Sequence, residues 1–336
     1  MQRPLSQIKI EGPSDSRPLV FRIFLVAALL SAFAQVTLGA FVRVTDAGLA
    51  CGSDWPLCGG QWVPVFTTEV ILEYAHRLTA VLLGIFILIA LAYAWKIHRD
   101  KQTVFRATLA AFLLVLAAGA FGGATVISEL GWGLRLIHLA IAEALIAALV
   151  FALVAAWPVK DPPFNQPSTA VIAAGGTTIR LMMAATFAVL ISGSVVVGLE
   201  ASSVCGSWPF CSGTTIFPPG DSIYAIHMGH RMVAAVAGVL ILGTAVWTWR
   251  MREWWPGSGP AAIVLGMVLL VQIVMGAAVP WSAFAPGWKA LHVSVATATW
   301  VAASVLSALV CVPRLSHTPE PDASEDRFRE LENLVQ

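Results

Sequence analysis

The sequence predicts an all-α integral membrane protein with eight transmembrane helices, arranged as two parallel-duplicated four-helix bundles. Three observations lead to this fold class. First, 58% of the 336 residues are hydrophobic and only 12% are charged, whereas soluble domains carry about 25% charged residues. Second, eight apolar runs approach or exceed the roughly 20 residues that a helix needs to cross a bilayer. Third, the chain repeats its pattern of cysteine, histidine and Trp-Pro after 153 or 154 residues.

The apolar runs give the helices in order, at 20–41, 74–95, 104–125, 135–157, 178–199, 225–249, 261–281 and 289–312. One such run could be a buried helix of a soluble protein, but eight leave too little polar chain to cover one. The first run has a second interpretation as a secretory signal, because Ala32-Phe33-Ala34 resembles a cleavage site. A membrane helix is favoured, since the run continues past Ala34 and corresponds to the run at 178–199.

The repeat also predicts the domain organisation. Two four-helix halves, 18–157 and 177–314, are joined by a cytoplasmic linker at 158–176 and flanked by cytoplasmic segments at 1–17 and 315–336. Because four is an even number, both halves enter the membrane in the same direction, as in a parallel duplication.

Lysine and arginine predict the orientation in the membrane. Fifteen of the 20 Lys and Arg residues fall on one side of the predicted helices, and cytoplasmic loops carry the excess of positive charge. Both termini are therefore expected in the cytoplasm, and the loops at 42–73 and 200–224 outside it. The net charge of +1 gives no indication of a nucleic-acid partner.

Each outer loop holds a cysteine pair, Cys51 with Cys58 and Cys205 with Cys211. Disulfides persist in oxidising compartments, and a local pair closes a short ring at low entropic cost. We therefore predict one disulfide within each loop, as a structural staple or as a redox-active pair. A zinc site is disfavoured, because these spacings are wider than the usual ones. Cys311 is expected to be an inert packing residue.

Four histidines recur in register: His76 and His138 in the first half, and His230 and His292 in the second, each pair 62 residues apart. An ionisable side chain inside a membrane indicates a functional site. Two imidazoles from facing helices of a bundle suit the axial positions of a haem iron, whereas zinc or copper needs further ligands. The residues therefore predict two bis-histidine haem positions per chain.

Glu73 distinguishes the two halves. It precedes His76 by three residues on the same helical face, and its counterpart in the second half is His227. A carboxylate beside a porphyrin can relay protons or position a substrate, although Glu73 could also be no more than the polar end of a helix. Glu143, a turn and a half beyond His138, has no evident partner in the sequence.

Other residues recur near these positions. Gly39 and Gly193 occupy the outer ends of the first helix of each half, and Gly122 and Gly276 those of the third; we interpret them as sites of close helix packing. The basic residues that could hold haem propionates are Arg43, Arg135 and Lys289.

These motifs resemble the haem A synthase family. The resemblance is carried in the first half by Leu38-Gly39, Gly48-Leu49-Ala50-Cys51, Trp55-Pro56-Leu57-Cys58, Glu73-Tyr74-Ala75-His76-Arg77 and His138. In the second half it is carried by Cys205, Trp208-Pro209-Phe210-Cys211, His227, His230-Arg231 and His292. It covers nearly the whole predicted membrane region, and it implies an eight-helix enzyme that oxidises a methyl group of haem O to the formyl group of haem A.

The resemblance also implies a division of labour. His230 and His292 are similar to the family's ligands of a resident haem b. His76 and His138 are similar to the pair that holds the substrate haem O, with Glu73 as the nearby catalytic carboxylate. Cysteine pairs such as Cys51/Cys58 and Cys205/Cys211 occur in only some members.

The resemblance further implies a setting and partners. The short N-terminus suits a multi-pass protein of the bacterial plasma (inner) membrane, in contact with membrane lipid. An unidentified electron donor is implied, and haem O synthase and cytochrome oxidase assembly factors are candidate partners. Two other functions remain open. A bis-histidine haem b cytochrome that transfers electrons would use the same histidines, and a haem carrier is suggested by the parallel repeats alone.

Overall fold

A computed structural model of the chain describes residues 16–157, 168–216 and 222–312. This part of the chain is helical and contains no β-strand. Its long helices are α1 (Arg17–Val44), α2 (Thr68–Ile97), α3 (Gln102–Ile127), α4 (Trp132–Ala155), α5 (Thr169–Gly198), α6 (Ser222–Arg250), α7 (Ser258–Trp281) and α8 (Pro286–Cys311). All eight are long and apolar enough to cross a membrane. The predicted fold class, an all-α membrane protein with eight spanning helices, is confirmed.

Several helices begin before the apolar runs that predicted them, because their first turns are polar. Helix α2 starts at Thr68, and the hydroxyl of Thr67 accepts a hydrogen bond from the Val70 amide at 3.4 Å. Glu69 stands in the same turn, where a negative charge is favoured by the helix dipole. His76 consequently lies about two turns inside α2 rather than in its first turn.

The region between the halves differs in extent from the predicted linker. Helix α5 starts at Thr169, capped by the Ser168 hydroxyl, which accepts from the Val171 amide. Residues 169–176, which we expected in the linker, are therefore helical. The rest of that linker up to 167, the N-terminal segment up to 15 and the tail from 313 lie outside the described residues.

Each half forms a ring of four contacting helices. In the first, α1 packs on α2, α2 on α3, α3 on α4, and α4 on α1; α5 to α8 repeat this order in the second. The halves meet through α1, α4, α5 and α8. The largest apolar core includes Phe21, Leu25, Ile146 and Leu149 of the first half and reaches Trp300 of α8. These contacts are consistent with two four-helix bundles that meet along α1 and α4 of the first half and α5 and α8 of the second.

The repeat extends to the backbone of the turns. Within the described ranges, six non-glycine residues have positive φ angles, a conformation that L-amino acids rarely adopt, and they form three pairs separated by 154 residues. The pairs are Asp46 and Glu200, Glu129 and Ala283, and Leu130 and Phe284. All lie at the end of the molecule where α1 and α3 end and α2 and α4 begin, here called the cysteine end. The chain therefore turns in the same way at corresponding points of both halves.

Candidate functional site

The four repeated histidines lie near the cysteine end, one on each of α2, α4, α6 and α8. His76 and His138 are close enough for their imidazoles to interact electrostatically, and so are His230 and His292. The structure therefore brings together the histidine pairs that the sequence predicted, one pair inside each half.

A glycine faces each imidazole from the neighbouring helix. A Cβ atom added to Gly39 of α1 would lie 3.0 Å from Cε1 of His76, and one added to Gly193 of α5 would lie 3.2 Å from Cε1 of His230. Gly122 of α3 and Gly276 of α7 face His138 and His292 in the same way, at 3.1 and 3.2 Å. We interpreted these glycines as sites of helix packing; what they accommodate is the edge of a histidine ring.

Corresponding positions of α3 and α7 hold the imidazoles of α4 and α8. Nδ1 of His138 lies 2.9 Å from the carbonyl oxygen of Ala118. Nδ1 of His292 lies 3.3 Å from the side-chain amide of Gln272, 154 residues after Ala118. Oε1 of Gln272 is buried without a partner among the described residues. Rotating the side-chain amide by half a turn places Oε1 next to the imidazole, where it can accept a hydrogen bond from Nδ1–H of His292. In both histidines Nδ1 is the bonded nitrogen.

The imidazoles of His230 and His76 have different hydrogen-bond partners, although they occupy equivalent positions of the two halves. The hydroxyl of Ser192 lies 2.8 Å from Nδ1 of His230 and donates to the carbonyl of Val189, so its oxygen accepts from Nδ1–H. Leu38 stands at the equivalent position of the first half. Nδ1 of His76 is buried without a partner in the described part of the chain, and its Nε2 lies 3.3 Å from Nε2 of Gln35.

Glu73 is buried and connects α2 to the first cysteine loop. Its Oε2 accepts a hydrogen bond from the backbone amide of Cys51 at 2.7 Å, and its Oε1 accepts from the guanidinium of Arg77. Arg77 also donates to the carbonyls of Asp54 and Leu57 in that loop. Glu73 is therefore close to His76 in sequence, but its carboxylate is directed to the loop around Cys51.

The second half makes the corresponding connection with other groups. His227, at the position of Glu73, is bonded through Nδ1 to the carbonyl of Ala201 at 2.7 Å. Arg231, at the position of Arg77, donates to the carbonyls of Ser207, Pro209 and Phe210 at 2.8 to 3.0 Å. In both halves, then, the arginine that follows the histidine fastens the cysteine loop.

Both predicted disulfides are present. Cys51 is bonded to Cys58 and Cys205 to Cys211, and all four are buried. Each loop also contacts the third helix of its half. In the first half, a Cβ atom added to Gly123 would lie 3.0 Å from the indole of Trp55. In the second half, the rings of Trp208 and Trp281 pack edge to face, with their centroids 6.0 Å apart. The loops therefore extend over the bundle ends that carry the histidines.

The candidate propionate ligands lie at the cysteine end. Arg43 forms an exposed ion pair with Asp46 at 3.3 Å, and Arg135 interacts electrostatically with both residues. Lys289, at the repeat position of Arg135, donates to the Ser203 hydroxyl at 3.1 Å. The first half thus places two guanidinium groups near each other, where the second half has one ammonium group.

Glu143 has a partner that the sequence did not reveal. Its Oε1 accepts a hydrogen bond of 2.7 Å from the hydroxyl of Thr297, which is its own repeat position in α8. The indole of Trp300 donates to the backbone carbonyl of Glu143, also at 2.7 Å. Equivalent positions of the two halves therefore meet at the interface of α4 and α8, and Oε2 of Glu143 is buried there without a partner in the described chain.

These residues fit a haem better than a bare metal ion. Among the described residues, no three His, Cys, Asp or Glu side chains are grouped as a metal ion would require. Two imidazoles suffice for a haem, since the porphyrin fills the other positions. For three of the four histidines, the bond at Nδ1 leaves Nε2 without a hydrogen bond to the described chain, the arrangement by which a second contact orients an iron-binding imidazole.

The side chains that orient the imidazoles were not predicted from the sequence; they are Gln35, Thr79, Ser192 and Gln272. A signal for them exists, because each is a polar residue within an apolar run, and polar side chains in a membrane span usually have a partner. The sequence does not show which neighbouring helix each one faces.

Comparisons with known proteins agree with these features. The family model COX15-CtaA, described as cytochrome oxidase assembly protein, matches residues 22–304. A protein named heme A synthase from Geobacillus kaustophilus is 32% identical over 249 residues, which cover 72% of this chain and 76% of that protein.

Two further relatives carry the same name. The protein from Geobacillus thermodenitrificans is 31% identical over 72% of this chain and 76% of its own length. The protein from Alkalihalophilus pseudofirmus is 24% identical over 87% of this chain and 98% of its own length. The region matched by the family model includes the positions of all four histidines.

Proposed function

The chain belongs to the COX15-CtaA family of cytochrome oxidase assembly proteins, and from this membership we propose that it acts as a haem A synthase. It is a multi-pass membrane oxidoreductase that converts haem O to haem A. The observation that carries this function is that each half holds two imidazoles near enough to interact electrostatically, each with a glycine of the neighbouring helix against its ring.

The reaction turns a methyl group into a formyl group. If water supplies the oxygen atom, the reaction releases four electrons and four protons, which need an electron acceptor and a route for protons. If dioxygen supplies it, each of the two hydroxylations consumes two electrons, which the electron donor must provide. Neither agent is identified by the residues. The apolar bundle would keep a bound haem within the membrane, and the disulfide-closed loop lies against the end of the bundle where the histidines lie.

The first half is the proposed substrate site, with His76 and His138 as ligands of the haem O iron and Glu73 as the nearby carboxylate. Its support is the asymmetry between the halves. Only the first half has a carboxylate three residues before the histidine of its second helix, and only there are Arg43 and Arg135 paired near the same end. Glu73, bonded to the Cys51 amide, also joins the loop to the helix that carries His76.

The second half is the proposed site of a resident haem b, held by His230 and His292. Both imidazoles are oriented through Nδ1, by Ser192 and Gln272, which makes the pair suited to permanent ligation. When bound, this haem would supply one-electron redox chemistry to the membrane interior. Helices α4 and α8, which carry His138 and His292, pack directly against each other between the two sites.

We further propose the bacterial plasma membrane as the location, with both termini in the cytoplasm and the cysteine loops outside. The distribution of Lys and Arg supports this orientation. The two disulfides support it as well, since such bonds persist in oxidising compartments. An electron donor, haem O synthase and cytochrome oxidase assembly factors are the proposed partners.

The test is expression of the full-length protein together with a supply of haem O, followed by extraction and spectroscopic identification of the haems. We expect haem A. His76→Ala and His138→Ala should abolish it while the bound haem b remains, and His230→Ala and His292→Ala should remove or convert the low-spin haem b spectrum. Haem b without haem A in the unaltered protein would indicate the electron-transfer cytochrome instead.

A further inference from the structure

His76 differs from the other three repeated histidines in the nitrogen that is engaged. The others are bonded to the protein through Nδ1, which leaves the Nε2 lone pair available for an iron. For His76 the order is reversed: Nε2 faces the Gln35 amide at 3.3 Å, and Nδ1 has no partner among the described residues.

Three contacts fix the orientation of the Gln35 amide. The atom 2.9 Å from the backbone carbonyl of His76 must be the NH₂ end, because a second carbonyl oxygen there would be repelled. The Oε1 end accepts a hydrogen bond from the hydroxyl of Thr79. One hydrogen of Nε2 is used by the His76 carbonyl, so the other can point at Nε2 of the imidazole and occupy its lone pair.

The second half lacks this arrangement. Val189 stands at the repeat position of Gln35 and Val233 at that of Thr79. Neither valine can donate to an imidazole, and His230 is instead bonded to Ser192 through Nδ1. Of these two equivalent positions, therefore, only the one in the half proposed to hold the substrate carries an amide that can compete with iron for Nε2 of the histidine.

We propose that Gln35, positioned by Thr79, makes His76 the exchangeable ligand of the substrate iron, while His138 remains the permanent one. In the exchange, the Nε2 lone pair of His76 leaves the iron and accepts the N–H of Gln35. The N–H bonds of both side chains stay intact, so no proton and no electron is transferred. The inference rests on the proposed function, and it gives the substrate iron a coordination position for a small molecule, which two permanent imidazoles would deny it.

Carbon monoxide binding measures this exchange without turnover. Full-length protein loaded with haem O is reduced under anaerobic conditions and titrated with carbon monoxide, which binds only an iron that can release an axial ligand. Gln35→Leu removes the competing donor at similar volume. Because one neutral hydrogen bond is lost, we expect the affinity for carbon monoxide to fall by roughly 2- to 10-fold.

Gln272→Leu is the matched comparison, because this amide contacts the Nδ1 of His292 at the same 3.3 Å distance, in the other half. It should leave carbon monoxide binding at the substrate haem unchanged. Thr79→Val provides a second variant, in which Gln35 remains but loses the hydrogen bond that orients it; we expect a smaller decrease in the same direction. The spectrum of the resident haem reports whether Gln35→Leu and Thr79→Val are folded, and thermal unfolding reports it for Gln272→Leu, whose amide contacts a ligand of that haem. If Gln35→Leu does not fold, Thr79→Val is the variant that tests the inference.

Equal or higher affinity for carbon monoxide in the folded Gln35→Leu protein, or in Thr79→Val where it replaces that variant, would overturn the inference. So would equal losses in Gln35→Leu and Gln272→Leu. Failure of the proposed function has a different signature: the unaltered protein would then bind no haem O and form no haem A, whatever residue stands at position 35.

Discussion

The glycines that face the histidine rings allow the two sites to be perturbed separately. Gly39→Ala places a Cβ atom 3.0 Å from Cε1 of His76, and Gly193→Ala places one 3.2 Å from Cε1 of His230. Carbon atoms in ordinary contact are about 3.5 to 4.0 Å apart. The imidazole of His76 must therefore move by about 0.5 Å or more, and that of His230 by about 0.3 Å or more.

The expected effects follow from these displacements. Misplacement of a reacting group by about 1 Å can reduce a rate roughly 100-fold, so a shift of half that size in Gly39→Ala should reduce haem A formation about tenfold. Overpacking costs about 1–3 kcal/mol of unfolding free energy, partly offset by the gain of about 1 kcal/mol when alanine replaces a helical glycine. Gly193→Ala should instead change the low-spin spectrum of the proposed resident haem.

The assay measures haem A per folded molecule and the haem b spectrum in the same preparations. Gly84→Ala and Gly238→Ala serve as matched controls, since these glycines lie on α2 and α6, 154 residues apart, with nothing within 4 Å of an added Cβ. Neither control should lose haem A or alter the haem b spectrum. If Gly39→Ala forms haem A as fast as Gly84→Ala does, the His76 ring does not need this space and the geometric reasoning is wrong.

The remaining predictions concern the loop, the carboxylates and pH. Replacing Cys51 and Cys58 by Ser should lower the free energy of unfolding by about 2–3 kcal/mol with unchanged activity per folded molecule; loss of haem A at normal stability would show a redox role instead. Glu73→Ala should keep haem b while haem O or its alcohol accumulates in extracted haems, and a normal haem A yield would limit Glu73 to holding the loop. Glu143→Ala should cost about 1–3 kcal/mol in thermal unfolding, and Glu143→Gln, which keeps an acceptor for the hydroxyl of α8, should cost less. Burial lowers the pKa of His98, beyond the end of α2, from its usual 6.5, with the Lys101 charge acting in the same direction. Protonation therefore favours the unfolded chain, so stability should fall as pH drops below about 6.5, and less so in His98→Phe, as scanning calorimetry at several pH values can measure.

Much of the molecule follows from the amino-acid sequence. The apolar runs predicted eight spanning helices because crossing a bilayer requires about 20 apolar residues in a row. The 154-residue offset assigned one pair of histidines to each half, and the two members of a pair were expected at similar depth because both lie near the start of helices that run in the same direction. The disulfides Cys51–Cys58 and Cys205–Cys211 followed from proximity along the chain and were confirmed.

Helix boundaries were less accessible to the sequence. The run predicted at 74–95 belongs to a helix that starts at Thr68, and the run at 178–199 to one that starts at Thr169. Hydrophobicity marks only the apolar part of a helix, whereas a capping hydroxyl and a polar first turn extend it beyond that part. The depth of His76 within α2 depends on this extension.

What only the tertiary structure decided is the identity of the partners. Periodicity places a residue on its own helix but does not fix the rotation of that helix against its neighbours, which is set by packing. That rotation brings Gly39 against His76, Gln35 to its Nε2 and Glu143 to Thr297. The sequence by itself therefore determined the membrane class, the repeat and the chemical groups of both sites. Which partner each of these groups takes was decided by the fold, because a buried polar group bonds to the partner that packing brings within hydrogen-bond distance.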